Sequence, residues 1–253
     1  MRHPLPTLLA VAAALVLPAA PALAEEGWSG TGELGLSMAR GNSRAENLNA
    51  RLAFKKEDAD WTHRFSFAGL RARGEVTADF DGDGIPETRL QTTANRYQVA
   101  GSSALNLTER SSWISSLRYE RDDFAAYDYQ ATIAVGYGHK FIDTDETKLA
   151  TSIGPGYRRA RYASTQAIEN EMIVRGTLEF SHQLTETTQV TNDFLMESGS
   201  DNTFAQNDLG LAVAINASMA LKVGLQARHN TQTDPGRKST DTLTTLNLVY
   251  KFF

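Results

Sequence analysis

The sequence predicts an all-β protein, a transmembrane antiparallel up-and-down β-barrel of about twelve strands. Three observations predict it. The N-terminus has the layout of an export leader, apolar and polar residues alternate from there to the C-terminus, and short and long connections take turns between the alternating runs.

The leader comes first. Arg2 and His3 make a weakly basic start, Leu8 to Leu17 is almost unbroken apolar chain, and Ala22-Leu23-Ala24 is a small-x-small cleavage site. The apolar run is too short for a spanning helix, which needs about 20 residues. Residues 1–24 are expected to be a signal peptide and 25–253 a single barrel domain. The chain has 0 cysteines. That excludes a lipid-modified Cys, disulfides, thiolate metal sites and a Cys nucleophile. Beyond residue 24 no stretch is long and apolar enough to cross a bilayer as a helix, so export leads past the inner membrane. With Arg2 in the leader, 24 basic residues face 30 acidic ones and form no basic stripe, so nucleic acid is not an expected partner.

The strands follow in order, because successive side chains of an extended chain point to opposite sides. Trp28, Leu34, Leu36 and Met38 alternate with Ser29, Thr31, Glu33 and Ser37. Leu48, Ala50, Leu52 and Phe54 alternate with Asn47, Asn49, Arg51 and Lys55. Trp61, Phe65 and Phe67 oppose Thr62, Arg64 and Ser66, and weaker runs cover 92–107 and 112–120. Ala131 to Phe141 alternates again, a run over 148–160 follows, and Met172, Val174, Leu178 and Phe180 oppose Glu171, Arg175, Thr177 and Glu179. After 189–198 come Leu209 to Ile215, Leu221 to Arg228 and Thr242 to Phe253. These runs of roughly nine to sixteen residues suit tilted membrane strands of about 9–11 residues better than soluble strands of about 5–6.

An even strand count puts both termini on the periplasmic side. The periplasmic turns are then Lys56–Asp60, Thr108–Arg110, Ile142–Thr147, Thr185–Thr187 and Asn216–Ser218. The external loops are Gly41–Arg44, Gly74–Leu90, Arg121–Asp128, Tyr162–Glu169, Gly199–Asn202 and Asn230–Ser239, most of them longer, as in outer-membrane barrels. Trp28, Phe54, Trp61, Trp113, Phe141, Tyr250 and Phe252 fall near periplasmic strand ends, and Tyr97, Tyr119 and Tyr157 toward the other rim, where aromatic girdles collect. Gly154-Pro155-Gly156 inside a strand predicts a kink in the wall, since Pro cannot donate to the ladder.

Leu246, Leu248, Tyr250 and Phe252 resemble the C-terminal signal by which the barrel assembly machinery recognises its clients, with the extra Phe253 shifting the register by one. The chain after the leader also resembles the domain of unknown function 481 family, the YdiY-type salt-induced outer membrane proteins. The resemblance rests on Gly35-Leu36-Ser37 followed by Gly41-Asn42-Ser43, on Gly154-Pro155-Gly156-Tyr157-Arg158 and on Leu248-Val249-Tyr250-Lys251-Phe252. It implies a barrel in the outer membrane of a Gram-negative cell, in contact with its lipid, and implies no reaction.

Two groups of residues are candidates for chemistry. Asp79, Asp81, Asp83, Ile85 through its carbonyl, and Glu87 occupy the spacing of a Ca2+ loop, but Leu90 stands where the closing bidentate Glu belongs. The competing reading is a solvated turn. The second group is a set of charges on the lumen face: Glu33, Arg51, Lys55, Arg64, Arg118, Glu120, Arg175, Glu179, Asp193, Asp208, Lys222 and Arg228. They suit either a narrow polar pore or ion pairs that fill the interior; porin-type channels generally need 16–18 strands. Catalysis is not expected. No Gly-x-Ser-x-Gly elbow is present, and of His63, His139, His182 and His229 only His229 nears the external rim. Three roles stay open: a structural or stress-related envelope barrel, a small-solute channel, and a barrel-embedded lipid hydrolase. A soluble β-sandwich fits the strand lengths poorly.

Overall fold

A computed structural model describes residues 27–39, 44–233 and 238–252; the expected signal peptide, Gly41-Asn42-Ser43 and Phe253 lie outside them. Twelve strands run in order: β1 (Trp28–Ala39), β2 (Ala45–Glu57), β3 (Trp61–Ala78), β4 (Glu87–Asn106), β5 (Ser111–Asp122), β6 (Tyr127–Asp143), β7 (Thr147–Tyr162), β8 (Ile168–Gln183), β9 (Thr188–Ser198), β10 (Thr203–Ala214), β11 (Met219–Asn230) and β12 (Thr240–Lys251). Each pairs antiparallel with its sequence neighbours. The seam between β1 and β12 runs from Thr31↔Lys251 to Leu34↔Leu248 and closes the barrel. The fold is the transmembrane up-and-down barrel that the alternation demands.

The side chains are inverted relative to a soluble protein. Leu36, Trp113, Ile133, Phe141, Ile153, Met172 and Leu246 stand on the outside, each more than half exposed, while Arg118, Arg158, Glu197 and Asn202 are buried inside. An apolar outer face of this extent is stable only against lipid. The sole buried apolar cluster among the described residues, Ala126, Tyr127 and Ala160 with Tyr162 against it, is small and sits at one rim.

The connections at one end are all tight: 58–60, 107–110, 144–146, 184–187 and 215–218. Each is built by one device. A side-chain oxygen near the start of the turn, from Asp58, Thr108, Thr144, Thr185 or Asn216, accepts a backbone N–H two or three residues on, at 2.8 to 3.3 Å. This offers the chain a local reversal without help from packing. Connections at the other end vary more. The loop expected over Gly74–Leu90 is in fact 79–86, because β3 and β4, 18 and 20 residues long, run on past their neighbours as a projecting hairpin. Alternation of apolar residues ends near Gly74 because this hairpin has left the bilayer, and a strand wet on both faces needs no greasy side. Beyond Arg96↔Asp122, β4 has no partner on β5.

Gly154-Pro155-Gly156 does not break β7. Its pairing with β8 is continuous, while pairing with β6 skips Gly154 and Pro155. The two backbones press together there: a Cβ on Gly154 would lie 2.0 Å from the Val135 carbonyl oxygen and 2.4 Å from Gly136 Cα. The expected kink is a close approach of two strands.

Candidate functional site

The inward positions of the strands hold the polar groups. All twelve residues singled out for the lumen point inward, and the structure divides them into two levels. Near the variable-loop end, Arg118, Glu120, Arg175, Asp208 and Arg228 join a septum that also takes in Arg96, Asp122, Arg158, Glu171, Glu197 and Phe204.

Glu197 is its centre. Its carboxylate accepts from Arg118 Nε at 3.3 Å and Nη2 at 2.5 Å, from Thr132 Oγ1 at 3.2 Å and from Arg175. Arg118 also reaches Glu120 Oε2 at 3.4 Å, and Glu120 accepts from Arg228, which donates to Asp122 Oδ2 at 3.4 Å. Arg96 donates to Gln226 Oε1 at 2.6 Å, and Gln226 donates to Asp208 Oδ1 at 2.6 Å. On the other flank, Arg158 binds Glu171 and donates to the Asn202 carbonyl at 2.5 Å. These links run from β5 to β9, from β5 to β11 and from β4 to β11, so they cross the lumen. Phe204, fully buried, lies between two guanidinium groups, at 4.7 Å from Arg118 and 5.2 Å from Arg228. Five arginines meet five carboxylates, so the septum is neutral as a whole. Most of these charges are ion-paired, and Asp208 is held by the Gln206 and Gln226 amides instead, so each buried ion keeps a polar partner, the condition under which buried ions are tolerated.

The other level is open. Glu33, Arg51, Lys55, Arg64, Glu179, Asp193 and Lys222 line two adjoining cavities of about 510 and 500 Å³. The lining of the second reaches the tight-turn residues Thr108, Glu109 and Arg110. Ion pairs are sparser here: Lys222 donates to Glu33 at 2.9 Å, and Arg64 stands 3.6 Å from Glu179. Asn49 and Asn247 crowd the inward face of Gly35, where a Cβ would meet their amide ends at 2.4 and 2.2 Å and both would have to move aside.

The acidic loop is only partly assembled as a cation site would require. Carboxylate oxygens of Asp79, Asp81 and Asp83 lie within 4.8 Å of one another, all exposed, whereas Glu87 pairs with Arg89. Asp79 accepts from Gly82 at 2.7 Å and Gly84 at 2.8 Å, and Asp83 from the Ile85 amide at 2.7 Å. Gly82 and Gly84 have φ of 79° and 85°, the left-handed turn that glycine allows. The loop's own amides account for its shape.

The histidines do not gather. Each faces outward and bonds a hydroxyl directly across on the next strand: His63 to Ser103, His139 to Ser111, His182 to Thr147 and His229 to Thr240. No carboxylate bonds any of them among the described residues. Of the C-terminal signal residues, Leu246, Leu248, Tyr250 and Phe252 all face outward, and Phe252 stacks on Phe54 at 6.2 Å.

The sequence reading missed Arg96, Asp122, Arg158, Glu171, Glu197 and Phe204. Parity marks the first five: Arg158 follows outward Tyr157, and Glu197 lies four residues from inward Asp193. Phe204 had no such mark, because an apolar ring on the polar face reads as a break in the pattern.

The family model described as "Protein of unknown function, DUF481" matches residues 32–252. No curated protein matches the sequence. Among solved structures, the NanC porin is similar over 88% of this chain and 97% of its own, at 9% identity and a TM-score of 0.49. The translocator domain of the autotransporter NalP from Neisseria meningitidis is similar over 96% and 92%, at 10% identity and a TM-score of 0.46. The KdgM porin is similar over 88% and 98%, at 9% identity and a TM-score of 0.42.

Proposed function

The chain belongs to the DUF481 family of proteins of unknown function, and from that premise we propose that it is a structural or stress-related barrel of the Gram-negative outer membrane, without porin-type throughput. The carrying observation is the septum: two arginine–carboxylate links and one arginine–glutamine link tie opposite walls together across the lumen. A solute crossing at that level would have to break several buried charge pairs, each costly to leave unmatched. The barrel assembly machinery is its partner during insertion, and its outward apolar face keeps it in lipid. The reading assigns it no reaction, in keeping with four histidines bonded only to hydroxyls.

Planar bilayer recording tests this. Purified protein is expected to give a silent membrane. Arg118→Ser combined with Glu197→Ser, which removes a cross-lumen pair together, is expected to introduce discrete conductance steps. Large, frequent steps from the unaltered protein would overturn the reading. A second reading, passage of small polar solutes, is favoured by the two polar cavities; small steps blocked by a solute would support it.

A further inference from the structure

Arginines that point outward from the described strands are unevenly placed. They are Arg71 and Arg73 on β3, Arg121 on β5, and Arg159 and Arg161 on β7, all at the variable-loop end. Outward positions of β8 to β12 and of β1 carry no Lys or Arg at all. Among the described strand positions at the tight-turn end only Lys56 faces out, and its ammonium lies over the Trp28 ring.

Three of these arginines share a patch with three tyrosines. Arg121 sits opposite Tyr97 on one side and Tyr129 on the other, and Tyr129 sits opposite Arg161. Arg159 lies one outward position below Arg161, in the row of Tyr119. The rings of Tyr97, Tyr119 and Tyr129 form a chain with centroids 6.1 Å apart, and Arg161 lies 5.2 Å from the Tyr129 ring. Asp123 bonds Arg121 and Asp128 bonds Arg161, both at 3.2 Å, whereas Arg159 has no carboxylate within 4.0 Å among the described residues. The patch thus keeps an excess positive charge beside amphipathic rings.

Its height matters as much as its charge. Arg121 is eight residues along β5 from Trp113, roughly 26 Å of strand at about 3.3 Å per residue. With a barrel tilt of about 35–45° the rise along the membrane normal is roughly 19–22 Å, most of the lipid-facing band of about 25 Å, and the reach of an arginine side chain spans the remainder. A Trp marks one interface and the arginines stand at the other, level with headgroups.

We infer that this face of β4 to β7 binds a phosphorylated lipid headgroup of the outer leaflet, with Arg159 meeting the phosphate directly, Arg121 and Arg161 sharing it with their aspartates, and the tyrosines packing against the sugar or glycerol. The inference rests on the outer-membrane reading above. Protein in neutral detergent micelles is titrated with purified bisphosphorylated lipid A and with the same lipid stripped of phosphate, retention being read by native mass spectrometry. The unaltered protein is expected to hold the phosphorylated lipid and not the stripped one. Arg121→Ala, Arg159→Ala and Arg161→Ala together are expected to weaken binding about a hundredfold, each basic group near a lipid surface giving close to a fivefold share. The corresponding Arg→Lys triple is expected to stay within several-fold of the original. Should the alanine triple not fold, as judged by gel mobility with and without boiling, Arg159→Ala alone carries the test, since it breaks no ion pair. Equal binding of the stripped lipid, unchanged binding by a folded alanine variant, or equal competition by free inorganic phosphate overturns the inference. A protein that stays dissolved without detergent would instead overturn the membrane reading beneath it.

Discussion

At the scale of single residues, Glu197 is where most depends on one side chain. It holds Arg118, Arg175 and Thr132 at once and has no solvent exposure. Glu197→Ala would leave Arg175 without a carboxylate and Arg118 with Glu120 alone, and breaking a buried pair in this way costs about 3–5 kcal/mol. The temperature at which gel mobility converts from folded to unfolded should fall accordingly, and further than for Arg64→Ala, whose partner Glu179 stands in the open cavity. Outside the membrane, Asp58 offers a pH test. The Trp61 amide first, and the Asp60 amide after it, hold its carboxyl below the usual carboxylate range. A depressed value means that the turn's stabilisation is present above the unfolded pKa of ~3.9 and is lost as pH falls through the lower folded value. The Trp61 amide resonance should therefore hold steady at pH 5 and move only under stronger acid. In Asp58→Asn, where the amide oxygen still accepts both bonds, the shift should vanish.

Elements were legible wherever lipid imposes a period. Twelve strands follow from alternation because one face of each must be greasy, and the five tight turns fall where that alternation breaks; the Asp, Thr and Asn side chains that build them were seen only in the structure. Legibility ended where lipid ended. The β3–β4 hairpin projects past the bilayer, so its strands over Glu75–Ala78 and Glu87–Gln91 had no apolar face to announce them. The septum was half legible for a related reason: parity shows that Arg118 and Glu120 face inward but not which inward charge they meet across the barrel. That pairing is set by shear and by side-chain length, neither of which leaves a local trace. The β6–β7 contact is a case where a motif was visible and its consequence was not. Gly154→Val should disrupt this pair of strands, since the added atoms would strike backbone of Val135 and Gly136. Gly176→Ala, whose nearest neighbour would be the Ser152 carbonyl oxygen at 3.9 Å, should be tolerated. Yield of the heat-shifting folded form separates the two.

For the molecule as a whole, orientation is the claim on which the lipid patch and the septum both depend, since each lies at the variable-loop end. The physical case is that tight, self-capped turns can be threaded across a membrane during assembly at little cost, while an acidic hairpin that carries Asp79, Asp81 and Asp83 is stable only in water. The first end is therefore expected to face the periplasm and the second the medium. The absence of cysteine makes this directly measurable. Ile85→Cys places a thiol at an exposed loop position, and Ala217→Cys places one in the turn between β10 and β11. A membrane-impermeant maleimide added to intact cells should label the first and spare the second, which should react only after the outer membrane is permeabilised. The reverse pattern would set the arginine patch against the inner leaflet and the septum at the periplasmic mouth; labelling of both in intact cells would mean that no membrane separates the two ends.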